Sequence, residues 1–265
     1  MEEMNMPIMK QHIMQQLRKI EEEESVKIIY ACESGSRAWG FPSKDSDYDV
    51  RFIYVRPVEW YLSIFDKRDV IEQPISNMLD INGWDLKKAL YLLKKSNPPL
   101  LEWLQSPILY LETTSIAEQI REMCYFIYSS RTSMQHYLHM AKGNYRDYLQ
   151  GEQVKIKKYF YVLRPILGCQ WIEHHHTMPP MEFDRLVDEC IPKNSELSAA
   201  IENLLVRKKA GDEMDYEPRI EVLNEFLEER IAYYEALAPR MLTAKSEHKE
   251  QLDALFRSAL QEVWM

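Results

Sequence analysis

The feature that most constrains this chain is the segment DSDYDVRFIYV, residues 45–55, where two aspartates two positions apart open an otherwise apolar run. Residues at that spacing in a strand project from one face, which sets the Asp47 and Asp49 carboxylates side by side, roughly 7 Å apart at Cα. Aspartate is depleted in strands, and like charges on one face repel. Val50, Phe52 and Tyr54, alternating with Arg51, Ile53 and Val55, nevertheless read as a strand. The pair therefore needs a counter-charge. A divalent cation meets that need, because Mg²⁺ prefers oxygen ligands and is commonly held by one or two carboxylates together with nucleotide phosphates.

A second element precedes the first by about ten residues. Val26 to Ala31 is a short β-branched run that predicts a buried strand, and Gly35-Ser36 follows it closely. A glycine and a small hydroxyl residue at a strand-to-helix turn let backbone approach a phosphate and direct amide N–H groups at it. Arg37, next in the chain, either contacts that phosphate or covers the helix surface.

Around this segment the chain reads in two parts. An amphipathic helix is expected from Lys10 to about Glu22, a short helix at 58–65, strands near Val70-Ile71 and Met78 to Asn82, and a helix DLKKALYLLKKSN with Asp85 as N-cap. Asn97-Pro98-Pro99 ends it, and LLEWLQSPILY begins another short helix. Beyond about residue 114 only helical periodicities remain, over 115–130, 133–149, 152–173, 181–190, 195–208 and 217–238. The expected class is α+β, with a small mixed-sheet core at 1–112 and an all-helical domain at 113–265. Seven glycines against 16 tyrosines and 6 tryptophans agree with a well-packed, helix-rich chain.

Composition narrows the function. A net charge of −9 argues against an extended clamp on nucleic acid, yet allows a local basic pocket for one triphosphate. Cys32, Cys124, Cys169 and Cys190 lie far apart without paired metal spacing, so they read as reduced thiols of a cytoplasmic protein. No signal core and no apolar stretch of 18 or more residues is present, and no membrane partner is expected. In KIKKYFYVLRP, Lys155, Lys158 and Tyr161 fall on one helical face, with Lys157 and Arg164 displaced from it. That face is either a solvated basic surface or cations meeting the nucleotide across a cleft, and Arg164 suits bidentate contact with phosphate. His174 to His176 read as a solvated helix end. Trp39 reads as a core or domain-interface residue, notable for its nearness to the phosphate turn.

G-S, a spacer of about ten residues and D-x-D followed by a hydrophobic residue resemble the signature of the DNA polymerase β-like nucleotidyltransferase superfamily. More closely, GSRAWGFPSKDSDYDVRFIYV, DINGWDLKKALYLLKKSNPPLLEWLQSPILY and KKYFYVLRPILGCQWI resemble the predicted nucleotidyltransferases associated with phage RNA ligases, over about residues 25–190. The resemblance implies a mixed-sheet nucleotidyltransferase core, phosphate positioning by Gly35 and Ser36, and Mg²⁺, replaceable by Mn²⁺, on Asp47 and Asp49. It also implies a third carboxylate on a later strand, for which Asp80 is preferred and Asp85, already a good N-cap, is the rival. Implied partners are an NTP donor bound by Gly35, Ser36, Arg37, Lys158 and Arg164, and an acceptor such as an RNA end. The acidic charge draws instead toward a small molecule or a protein side chain. A non-catalytic nucleotide sensor or antitoxin-like module on the same fold is the rival function.

Overall fold

The computed structural model describes residues 2–76, 78–212, 215–242 and 248–265. Five strands, β1 (Lys27–Ser34), β2 (Tyr48–Val55), β3 (Val70–Glu72), β4 (Leu79–Asp85) and β5 (Leu109–Glu112), form one mixed sheet in the order β3-β4-β2-β1-β5. Only β2 and β4 are parallel. Helix α1 (Glu2–Glu24) precedes the sheet, and α2 (Gly35–Ala38), α3 (Val58–Tyr61), α4 (Leu86–Lys94) and α5 (Pro98–Leu104) lie between its strands. After it come α6 (Ile116–Ile127), α7 (Ser130–Tyr148), α8 (Tyr159–His175), α9 (Phe183–Cys190), α10 (Glu196–Ala210), α11 (Glu221–Leu237) and α12 (Lys249–Trp264). The class is α+β.

Central strand β2 is buried on both faces from Phe52 onward, which explains its nearly continuous apolar run. One face, with Val50, Phe52 and Tyr54, packs against Ile13, Leu17 and Ile20 of α1, three residues at helical spacing. The other, with Ile53 and Val55, packs under α4, α5, α6 and α12. A third cluster joins α7 to α11 around Phe160, Leu163 and Leu167 and takes in Phe41 from the loop before β2. Apolar packing therefore does not part at residue 112, because Ile116, Ala117 and Ile120 of α6 and Leu252 and Leu255 of α12 belong to the sheet's own cluster.

Local structure departs from the helical reading in three places. Leu109–Glu112 is an edge strand rather than the end of a helix. Residues 152–158 are not helical: Gln153–Lys155 forms β6, which pairs with β7 (Tyr216–Pro218), and a single 3₁₀ turn at Ile156–Lys158 leads into α8. Strands of three or four residues are too short to show a period. Among the described residues no helix is long and apolar enough to cross a membrane.

Candidate active site

Both strands that open the site owe their ends to side chains behind them. Glu33, completely buried in β1, accepts the Asp49 backbone N–H on Oε1 at 2.8 Å and the Tyr110 hydroxyl on Oε2. Burial pushes its carboxyl up to about 7, against the lowering effect of those hydrogen bonds. The register then sets Ser34 opposite Asp49, and β1 turns at Gly35 into α2. Gly35 has φ +69°, and a Cβ there would lie 2.1 Å from Asp49 Oδ2. The turn is thus packed directly on the carboxylate, and only glycine fits both conditions. Gly35→Ala should lose about 1–3 kcal/mol of stability through backbone strain and displacement of Asp49. Urea denaturation reads this, and an unchanged midpoint would show that the turn relaxes freely.

Parallel pairing of β2 with β4 aligns Asp49 with Asp80. Arg51, two residues along the same face, donates from Nη2 to Asp49 Oδ1 at 3.1 Å and to Asp80 Oδ2 at 2.8 Å. Its Nη1 binds the Asp80 carbonyl at 3.0 Å. Burial raises the Asp49 carboxyl above the ordinary aspartate value; Arg51 opposes the rise, and the Asp80 and Asp47 charges add to it.

Gly35, Ser36, Asp47 and Asp49 line a cleft of about 320 Å³, together with Asp45. Lys157, Phe160 and Tyr161 at the start of α8 and Lys208, Gly211 and Asp212 at the end of α10 also line it. Lys208 crosses from α10 to the loop before β2 and donates to the hydroxyls of Ser43 at 3.0 Å and Ser46 at 3.4 Å. Burial, then the nearby Lys157 charge, lowers the Lys208 pKa. Burial, followed by the charges of Asp49 and Asp47, raises that of the Tyr161 phenol. Trp39 also lines the cleft, edge-on to Tyr161 with ring centroids 5.9 Å apart.

Three residues expected at the nucleotide stand elsewhere. Arg37 stacks on Tyr48, 3.7 Å from its ring centroid, and donates to the carbonyls of Ser46 and Asp47, so it shapes the loop carrying Asp47. Lys158 lies over the rings of Tyr148 and Tyr161, and Lys157 takes the cleft position; the KIKK segment is a strand and 3₁₀ corner, so helical spacing does not order its lysines. Arg164 is buried, with Nη1 2.8 Å from Glu102 Oε1, where it cannot reach a phosphate in the cleft. Asp85 caps α4 through the Lys87 N–H and accepts the Tyr61 hydroxyl, five residues along β4 from Asp80. Asp80 itself neighbours Asp49 but does not line the cleft.

Sequence reasoning missed Glu33, Arg51 and Lys208, and had set Lys157 aside. Glu33 and Arg51 carried a signal, since each is a charge inside an apolar strand beside the Gly35 turn or the Asp47/Asp49 pair. Lys208 carried none, because its partner Ser43 is 165 residues away.

Among the described residues no three His, Cys, Asp or Glu side chains are gathered as a metal cage. Asp47 and Asp49 nevertheless make the oxygen-only pair that Mg²⁺ takes from a protein when phosphates complete its shell, so the donor set fits a cation arriving with a nucleotide.

A protein of Bacillus subtilis (strain 168), the uncharacterized protein YcgL, is 54% identical over 256 residues, covering 97% of this chain and 98% of the relative. A solved nucleotidyltransferase-like protein from Exiguobacterium sibiricum 255-15 aligns over 94% of this chain and 88% of its own at 11% identity, but its TM-score of 0.30 is too low to carry an argument. The model of RlaP, the RNA repair pathway DNA polymerase beta family, matches residues 9–258, a span that includes every side chain placed around the cleft. The chain belongs to the RNA repair pathway DNA polymerase beta family.

Proposed function

We propose that the protein transfers a nucleoside monophosphate from an NTP to a hydroxyl or phosphate at an RNA end, with release of pyrophosphate. The observation that carries this reading is one cleft that gathers Asp47 and Asp49, beside the Gly35-Ser36 turn, with the cations Lys157 and Lys208. A lone carboxylate cluster would suit only a cation and a lone lysine pair only an anion. Their combination suits a triphosphate that arrives with its own Mg²⁺.

Asp47 and Asp49 would hold Mg²⁺, which supplies charge neutralisation at the reacting phosphate. The residues themselves position the partners, which is most of what phosphoryl transfer asks of a protein. Gly35 lets the turn close onto Asp49, which brings the Ser36 hydroxyl beside the carboxylates as a phosphate donor. Lys157 and Lys208 face the leaving pyrophosphate. Tyr161 and Trp39 supply flat apolar surface at the cleft edge. An acceptor oxygen attacks the α-phosphorus, the bond to the β-bridging oxygen breaks, and the acceptor's proton passes to Asp80, which Arg51 holds by its other oxygen. The RNA acceptor draws support from the family's description.

One observation favours a sensor that binds nucleotide without turning it over. Arg51 already bridges Asp49 and Asp80, supplying a resident cation between them. Each α-labelled NTP, incubated with Mg²⁺ or Mn²⁺ and with RNAs bearing 3′-hydroxyl or 5′-phosphate ends, separates the two. Label in RNA with equimolar pyrophosphate is expected. Nucleotide binding without either product would overturn transfer and establish the sensor.

A further inference from the structure

A second cavity, of about 580 Å³, lies away from the cleft at the opposite end of β2 and β4. Asp85 and Trp60 line it, and Asp85 is five strand residues, or about 17 Å, beyond Asp80. Nothing in the proposed transfer uses it.

Its charge runs against that of the chain. Six cations, Lys67, Arg68, Lys87, Lys88, Lys94 and Lys249, line it against four carboxylates, on a protein of net charge −9. One carboxylate, Asp85, is taken up by the α4 cap, and Asp69 pairs with Lys88 at 2.9 Å. Lys67, Lys87, Lys94 and Lys249 make no ion pair among the described residues. Aromatic rings stand between these cations. Tyr91 is 55% exposed and Phe65 74% exposed; Lys95 Nζ stands over one face of the Tyr91 ring, 4.4 Å from its centroid, which leaves the other face for a base. Trp60 lies with Lys67 Nζ 4.0 Å above its ring.

Spacing on α4 selects the ligand. Lys87, Tyr91 and Lys94 stand at i, i+4 and i+7, one stripe of the helix, with the two ammonium groups based about 10 Å apart along the axis and a ring between them. A single phosphate cannot engage both without drawing the two side chains in over the ring between them. Successive phosphates of a strand can, while a base stacks on the intervening ring, the arrangement by which single-stranded nucleic acid is held without sequence preference. We infer that this basin binds a single-stranded RNA segment, with phosphates on Lys87 and Lys94 and a base on Tyr91. The inference deepens the proposed function by placing the acceptor strand, and it rests on that reading only for the strand's role.

Fluorescence anisotropy of a labelled single-stranded RNA 12-mer with the full chain tests it without requiring turnover. Lys87→Glu/Lys94→Glu should weaken binding at least 10-fold and flatten the slope of log affinity against log salt by about 1.4, the loss of two phosphate contacts on a single strand. Tyr91→Ala should weaken binding about 10-fold at unchanged charge. Lys10→Glu/Lys193→Glu, which makes the same charge change at other exposed positions, should leave binding within about 2-fold of the parent. Equal loss in that control, or full affinity in Tyr91→Ala together with the double lysine variant, would overturn the site. Complete displacement of the 12-mer by equimolar AMP or ATP would overturn the strand in favour of a mononucleotide. Binding that depends on these residues in a protein that transfers no nucleotide would sink the transfer reading and leave the basin standing.

Discussion

Asp49→Asn should lower nucleotidyl transfer by about 1,000-fold while leaving the protein at least as stable as the parent at neutral pH. Loss of several kcal/mol of charge stabilisation at the reacting phosphate sets that scale, each 1.36 kcal/mol being tenfold in rate. The stability half follows from the site's own electrostatics. Burial and two neighbouring carboxylates raise the folded-state pKa of Asp49 despite Arg51, so the folded protein holds this proton more tightly than the unfolded chain. Ionised Asp49 therefore subtracts from stability, and the subtraction grows as pH rises from the ordinary value of 3.8 through the raised folded value. Asparagine removes it, and Arg51 keeps Asp80 as partner. Thermal midpoints of parent and variant should converge toward acid pH and separate in the variant's favour near pH 7. Full activity in Asp49→Asn would end the proposed mechanism. A midpoint far below the parent's would instead assign Asp49 a structural role.

Arg164→Met is expected to cost about 3–5 kcal/mol of folding stability, the scale for leaving a buried charge unpaired. Arg164 is 4% exposed; its guanidinium meets Glu102 at 2.8 Å, and the same carboxylate oxygen accepts the Tyr137 hydroxyl at 2.6 Å. Glu102 is only 8% exposed, so water replaces little of what the arginine supplies once it is gone. Glu102→Gln with Arg164→Met removes both charges together and keeps an amide oxygen for Tyr137. That pair should recover most of the loss in urea denaturation, and its KM for nucleotide should match the parent's. A raised KM in a stable double variant would return Arg164 to the role of phosphate clamp.

Arg164 also shows where sequence reasoning failed and why. An arginine before proline in YVLRPILG was read as reaching outward, but a helix apolar on all its faces has no outside, and a charge within it must find an internal partner. Arg37 failed for a related reason: it follows the phosphate turn in sequence, yet Tyr48 and two loop carbonyls offered nearer partners. The Asp47, Asp49 and Gly35 arrangement was legible because it is local. Asp49 is the second residue of β2 and Asp47 lies just before the strand begins, so the pair stays together through chain neighbourhood rather than strand period, and the turn needs a residue without Cβ. The alignment of Asp80 with Asp49 depends on β2–β4 pairing, and a candidate could be named only because an acid sat in a second apolar strand. Of the cations in the cleft, the KIKK segment was legible but not which of its lysines lines the cleft, since the segment is a 3₁₀ corner. Lys208 was not legible, since the far end of α10 is brought there by a core that joins α7 to α11.

The bonds from Lys208 to Ser43 and Ser46 bear on how the cleft changes on filling. Each hydroxyl is a neutral placeholder that keeps the ammonium partly dehydrated and aimed across the gap. An arriving phosphate oxygen exchanges with a hydroxyl and need not strip a hydrated lysine or draw in a distant arm. With the Arg37 hold on the Ser46 and Asp47 carbonyls, the free protein rests in a jaw already set to its working width. On the proposed function, encounter with the nucleotide would be a swap of partners rather than a closure, and the rotational freedom that a loose lid would surrender at each turnover would be given up once, during folding.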